Sequence, residues 1–149
     1  MALRDRITEP KLVRLYDYWQ AKRDGRPYPS RADIEPAEMT FVLGNIDLVE
    51  ISGDPIVFTF RLSGSNIDRN EGFNMQGKTL DEYPLPEHRD TVRRTYLEAL
   101  SSGEPHYEVL DRVSDGRLQR YARLILPLSH DGRTIDMFLM GRIEMAAGG

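Results

Sequence analysis

The last third of the chain constrains the fold most. Between Tyr107 and Ile143, three apolar-rich runs (Tyr107–Val113, Leu118–Leu128 and Thr134–Ile143) are separated by Ser114-Asp115-Gly116 and by Ser129-His130-Asp131-Gly132. Each connection contains Asp-Gly, where glycine accepts the positive φ that a tight hairpin demands. Runs of this length bounded by turn residues read as strands, so the segment is predicted to be a three-stranded antiparallel meander.

A second hairpin lies upstream. Ile46–Ile51 and Ile56–Leu62 flank the four-residue turn Ser52-Gly53-Asp54-Pro55. In the second run Ile56, Phe58, Phe60 and Leu62 share one face. Val57, Thr59, Arg61 and Ser63 take the other, which suits the wetter side of an antiparallel sheet. The chain then breaks at Ser63-Gly64 and passes through short polar helical pieces to the turn Gln76-Gly77-Lys78. The stretch from Ile56 to Tyr83 thus reads as a strand feeding a loop of short helices laid across the sheet. It is the expected wall of a small-molecule cavity. A longer helix is predicted over Pro84–Leu100, with Pro86 and Glu87 in its first turn and Val92, Tyr96, Ala99 and Leu100 facing inward.

The amino-terminal segment carries one more helix. Thr8 is a predicted N-cap, Pro10 sits just inside, and Gly25 supplies the stop. Leu12, Leu15, Tyr16 and Trp19 recur at the spacing of one helical face. Two readings are open for that stripe. It packs on its own domain, or these four residues, with the chain's only Trp as anchor, form a homodimer interface. Arg26–Arg31 is an extended link, and Asp33 caps a turn around Pro36–Phe41. The order of elements gives an α+β domain: a five-stranded antiparallel sheet, helices on one face, and an added N-terminal amphipathic helix. Expected boundaries are 1–31 for the helix and linker, 32–144 for the domain, and 145–149 for a disordered tail.

Composition narrows the function classes. At 149 residues one domain is expected. A chain this long buries roughly 68–70% of its unfolded surface and needs no metal or disulfide. There is no cysteine, which excludes disulfides, thiolate metal sites and a cysteine nucleophile. A net charge of −4 gives no nucleic-acid footprint. The first ten residues hold no signal-peptide core and no run approaches a membrane span, so a cytoplasmic protein without membrane attachment is expected.

Four local patterns resemble a PAS domain, a sensory module of many bacterial signalling proteins. They are FRLSGSNIDRNEGFNMQGKTLDEY, the helix Glu87–Leu100 with its Ser-Gly-Glu-Pro exit, Asp115-Gly116-Arg117 before LQRYARLILPL, and Asp131-Gly132-Arg133 before the last strand. More narrowly, DIEPAEM…FVLGNIDLVEI and FTFRLSGSNI are similar to a proteobacterial PAS subfamily, common in alphaproteobacteria, in which the PAS fold makes up nearly the whole chain. The resemblance implies sheet order 2-1-5-4-3, with Leu62–Tyr83 and the 87–100 helix closing a pocket. That pocket holds haem, flavin, a small acid or nothing in different relatives. It further implies pairing through flanking helices, a signalling-protein partner, and no output domain within this chain.

The pocket residues expected on this basis are Phe60, Leu62, Asn66, Ile67, Tyr83, Tyr96 and Tyr107, with Arg123 as an anion partner. A small-molecule site needs mostly apolar walls and a few placed polar groups. The facing of Arg123 is open, because Leu124 and Leu126 alternate with Arg123 and Ile125. With no cysteine, a cysteine-linked flavin or chromophore is excluded. Haem is disfavoured: His88 falls in a polar first turn beside Glu87 and Arg89, and no metal spacing joins it to His106 and His130. Asp68, Glu71 and Tyr83 could meet in the crossing region, although carboxylates there are more commonly caps and surface groups. Arg89, Arg93, Arg112, Arg117 and Arg120 read as a solvated basic patch. No phosphate loop, serine elbow or HExxH is present, so no enzyme is expected. The rival reading is a small cone-shaped enzyme of the ketosteroid-isomerase type, which would place its helices ahead of a long curved sheet.

Overall fold

The computed structural model describes residues 2–114 and 116–145. Asp115 of the first Asp-Gly turn and positions 146–149 of the expected tail lie outside the described residues. A single turn, α1 (Leu3–Arg6), leads into α2 (Pro10–Arg23). The N-cap of α2 is Glu9, whose carboxylate accepts from the Lys11 backbone N–H. Asp24 and Gly25 end the helix in left-handed conformations, φ 50° and 81°. Three short 3-10 turns cover Arg31–Asp33, Pro36–Glu38 and Leu43–Asn45. The hairpin β1 (Ile46–Ser52) and β2 (Val57–Ser63) follows, then α3 (Ser65–Glu71), a further 3-10 turn at Leu80–Glu82, and α4 (Pro86–Ser102). The chain closes with β3 (His106–Ser114), β4 (Arg117–Leu128) and β5 (Met137–Met145).

The five strands form one antiparallel sheet in the order β2-β1-β5-β4-β3. The first hairpin pairs with the last strand, Ile46 opposite Gly141 and Val49 opposite Phe138. The hairpin ahead of the crossing helices, joined in this order, is the PAS arrangement and not the cone-shaped one.

Both faces of the sheet are covered. On one, α4 and the segment carrying Met75, Leu80 and Tyr83 pack over Val49, Phe58, Phe60, Ile125, Phe138 and Met140. Phe58 meets Tyr96 edge-on at 5.3 Å and stacks on Phe138 at 6.4 Å, which fixes α4 by aromatic contact. On the other, α2 lays Leu12, Leu15 and Trp19 against Leu48, Leu124, Leu126 and Leu139. The approach is close: a Cβ at Gly141 would stand 2.6 Å from Leu12 Cδ2 and 2.8 Å from Leu15 Cδ2. The Trp19 indole N–H donates to the Pro127 carbonyl at 2.8 Å.

That placement corrects the dimer assignment for three of its four residues. Leu12, Leu15 and Trp19 are at most 2% exposed within a single chain. Their surface is taken up by the sheet, and Tyr16 alone of the stripe keeps accessible area.

A β-bulge near the start of β1 decides what faces the cavity. Leu48 pairs with Leu62, but Val49 pairs with Phe60, so Arg61 is an extra residue on β2. A bulge reverses the alternation beyond it. Leu62 therefore turns to the α2 side and Ser63 to the α4 side, opposite to the strict alternation expected.

Candidate functional site

The α4 side of the sheet encloses a cavity of about 30 Å³, room for one or two waters. Its floor comes from β1, β2, β4 and β5 through Asp47, Phe60, Arg123, Met140 and Arg142. Ile67, Asp68 and Glu71 of α3, with Phe73 and Met75, form the roof. Tyr83 and, from α4, Val92 and Tyr96 close the side. The turn before α3 is held tightly: a Cβ at Gly64 would meet the Gly44 carbonyl and lie 2.9 Å from the Ile46 nitrogen. The roof is also pinned to β2, where Phe60 N–H donates to Lys78 O at 2.9 Å and Gly77 N–H to Phe60 O at 2.7 Å.

Of the eight expected pocket residues, Phe60, Ile67, Tyr83, Tyr96 and Arg123 line this cavity. The other three do not. Leu62 points to the α2 side for the bulge reason given above. Asn66 faces the preceding loop, its amide donating to Asn45 Oδ1 at 2.9 Å. Tyr107 stands opposite Leu124 on β4 and so shares the α2 side. His88 does not line the cavity either, and no cavity-lining residue is His or Cys. The wall thus offers no imidazole to a haem iron and no thiol to a flavin adduct.

Asp47, Ser63, Asp68, Glu71 and Arg142 also line the cavity, none of them among the eight expected pocket residues, and Arg112 joins the network beside it. Glu71 is the hub of a buried network. Its carboxylate accepts from Arg112 Nη1 at 2.9 Å, from Arg142 Nη1, and from the Tyr83 hydroxyl at 3.3 Å. Arg112 also donates to the Tyr83 oxygen at 2.8 Å. Burial works to raise the Glu71 pKa, but the Arg142 and Arg112 guanidiniums together hold it below the usual carboxylate range. Of the possible meeting of Asp68, Glu71 and Tyr83, the contact of Glu71 with Tyr83 is observed, while Asp68 accepts from the Ser63 hydroxyl; the other partners of Glu71 are arginines that fix its carboxylate as an anion. That suits a tether better than a proton acceptor. Arg112, expected in a solvated basic patch, is 6% exposed. Arg142 lies 3.8 Å over the Tyr121 ring, and Arg112 and Arg123 flank the same ring at 5.5 and 5.6 Å.

Arg123 is buried at 5% exposure and lines the cavity on the Ile125 side of β4, opposite to Leu124 and Leu126, which answers the open question of its facing. Its one hydrogen bond among the described residues runs from Nη1 to Glu108 Oε1 at 3.3 Å. Asp47, two residues from Val49 on the same face of β1, accepts from the Gly64 backbone N–H at 3.2 Å. Burial pushes the Asp47 carboxyl up to about 7, against the opposing pull of the Gly64 hydrogen bond, Arg142 and Arg123. Burial likewise raises the Tyr96 hydroxyl, so it stays a neutral donor at physiological pH.

A family model described as "PAS domain" matches residues 7–141. The chain belongs to the PAS domain family, whose members are typically sensory modules of signal transduction. No curated protein matches the sequence. Among solved structures, the chain is similar to the Rhodobacter sphaeroides LOV protein at 18% identity and TM-score 0.52, covering 70% of this chain and 60% of that one. It is also similar to a sensory box sensor histidine kinase from Vibrio cholerae at 19% identity and TM-score 0.52, covering 74% and 89%. The chain spans about 60% of the length of the Rhodobacter structures it matches. At these identities the likeness is one of fold.

Proposed function

We propose that this chain is a sensory or adaptor PAS module that couples the state of its internal cavity to a signalling-protein partner, without catalysis of its own. The observation that carries the reading is the wall of the cavity. Asp47, Tyr96 and Arg123 sit at no more than 7% exposure, and each keeps hydrogen-bonding capacity that no group among the described residues fills. Buried polar groups are ordinarily satisfied, and a few placed polar groups among apolar walls are what a small-molecule site needs. In the closed form the cavity admits only water, so a ligand must lift the roof over residues 65–79. That movement is a direct means of reporting occupancy at the surface.

No helix among the described residues is long and apolar enough to cross a membrane. A homodimer would use surface that the fold leaves open. Tyr16 is one such residue. Val113 and Leu118, 63% and 50% exposed and directly paired across β3 and β4, are two others.

The test is thermal unfolding of the purified protein with a fractionated small-molecule extract of bacterial cells, alongside its visible spectrum and native mass. A ligand raises the melting temperature by mass action. A fraction that does so supports the sensory reading. No shift with any fraction, and a native mass equal to the bare chain, overturns ligand sensing.

A further inference from the structure

We propose that the cavity is built for a small zwitterion of the α-amino-acid type, its carboxylate set on Arg123 and Tyr96 and its ammonium on Asp47. The inference rests on the sensory reading above and names the ligand class for that same site.

Three observations lead to it. The first is unmet capacity of opposite kinds. Arg123 carries five N–H donors, and among the described residues only one is bonded, at the long distance of 3.3 Å. Among the same residues the Asp47 carboxylate accepts from a single backbone N–H. Among the described residues the Tyr96 hydroxyl makes no hydrogen bond, and no ion pair joins Asp47 to either cavity arginine. These groups open onto the cavity. Among the described residues, the one fully enclosed side-chain polar atom without a partner is the Tyr107 hydroxyl, on the other side of the sheet. A buried carboxyl group and a buried guanidinium thus face the same space without meeting, which calls for a molecule that bridges them.

The second is charge balance. The lining contains two arginines, Arg123 and Arg142, and three carboxylates, Asp47, Asp68 and Glu71. A simple anion would bring uncompensated negative charge beside Asp47, and a simple cation would sit against Arg123. Either is costly in a buried site. A zwitterion matches both ends and adds no net charge.

The third is the rest of the wall. Phe60, Ile67, Val92 and Met140 give an apolar flank suited to a small aliphatic side chain. The high pKa of Asp47 agrees with this view, because an ammonium is the partner that would return the carboxylate to its ordinary ionised state.

The experiment compares L-alanine and L-valine with their halves: propionate and 3-methylbutanoate, which lack the ammonium, and ethylamine and isobutylamine, which lack the carboxylate. Binding is read by melting temperature and by amide NMR shifts at matched ionic strength. The inference expects a saturable response to at least one amino acid, centred on residues 47, 60, 96 and 123, with at least about tenfold weaker binding of either half. Asp47→Asn keeps the shape and the Gly64 contact, and should weaken amino-acid binding by at least about tenfold without lowering the melting temperature of the free protein. Arg123→Gln should do the same to affinity by removing the other pole. Propionate binding as well as alanine, or Asp47→Asn binding unchanged, overturns the ligand class. If no compound in the panel binds while a cell-extract fraction stabilises the protein, the zwitterion is wrong and the sensory reading stands. If neither acts, both fall and the cavity houses only water.

Discussion

Replacing Trp19 with alanine measures how α2 is used. The indole is 2% exposed, touches the α2-side core, and donates to the Pro127 carbonyl at 2.8 Å. Truncating a buried Trp costs about 4 kcal/mol through lost transfer energy and the cavity left behind. The Pro127 carbonyl then loses its partner, adding up to about 1 kcal/mol if water does not reach it. Against a total stability of about 5–15 kcal/mol, the loss is a large fraction. With a urea slope of about 1.5 kcal/mol/M, the unfolding midpoint should fall by roughly 3 M. Far-UV circular dichroism is the probe, since the mutation removes the fluorophore. Tyr16→Ala, partly exposed beside Trp19 with ring centroids 6.1 Å apart, should cost about 1 kcal/mol. The Trp19→Ala loss should not depend on protein concentration, because the contact lies within one chain. A loss below about 1 kcal/mol, or one that grows on dilution of the wild type, refutes the docking of α2 on its own sheet.

Other expectations follow from the site and from the opposite core. Glu71→Gln leaves Arg112 and Arg142 without their counter-charge and should cost about 3 kcal/mol in urea unfolding at pH 7. The native Glu71 pKa is depressed, so its contribution is complete above the ordinary value of 4.5 and is lost as pH falls through the folded-state pKa. The Gln variant should therefore show a flatter acid limb than the wild type. Asp47 behaves in the reverse sense. Its folded pKa is raised from 3.8 to about 7, so the native state binds the extra proton and this group's contribution falls as pH rises between those values. Asp47→Asn should match the wild type near pH 4 and exceed it at pH 8 by on the order of a few kcal/mol; equal stability at pH 8 would show that Asp47 is hydrated. Tyr107→Phe removes a buried hydroxyl that has no partner and should be neutral or stabilising by up to about 1 kcal/mol. A loss above that would mean the hydroxyl is bonded through water.

The scaffold was legible because its turns are written locally. Gly132 after Asp131, and Gly103 at the end of α4, sit where the backbone takes positive φ, and the strands and helix between such marks follow. The facing of β4 was not legible. Tyr121 to Leu128 is buried without interruption because α2 covers one side and α4 the other. A strand buried on both faces loses the contrast that reveals its parity. Arg123 was therefore ambiguous until its neighbours were placed. The misassigned Leu62 has a different cause. The extra residue Arg61 reverses the alternation, and nothing in FTFRLS marks a bulge. Asp47, Arg112 and Arg142 read as ordinary charged positions in strands. They converge with Glu71 only through the pairing of β5 with both β1 and β4 and the passage of α3 over them. A charged residue flanked by apolar ones in a strand, as Asp47 is in IDLV and Arg142 in MGRI, was the one available signal. It would have nominated both.

The central claim is that the cavity is a binding site whose occupancy is reported by its roof. Hydrogen exchange followed by mass spectrometry, with and without a saturating stabilising fraction or compound, tests it most directly. The account predicts slower exchange confined to peptides covering residues 63–79 and 83–96, with the α2 segment unchanged. Protection spread evenly over the chain, or confined to the outer strands β3 and β4, would contradict it.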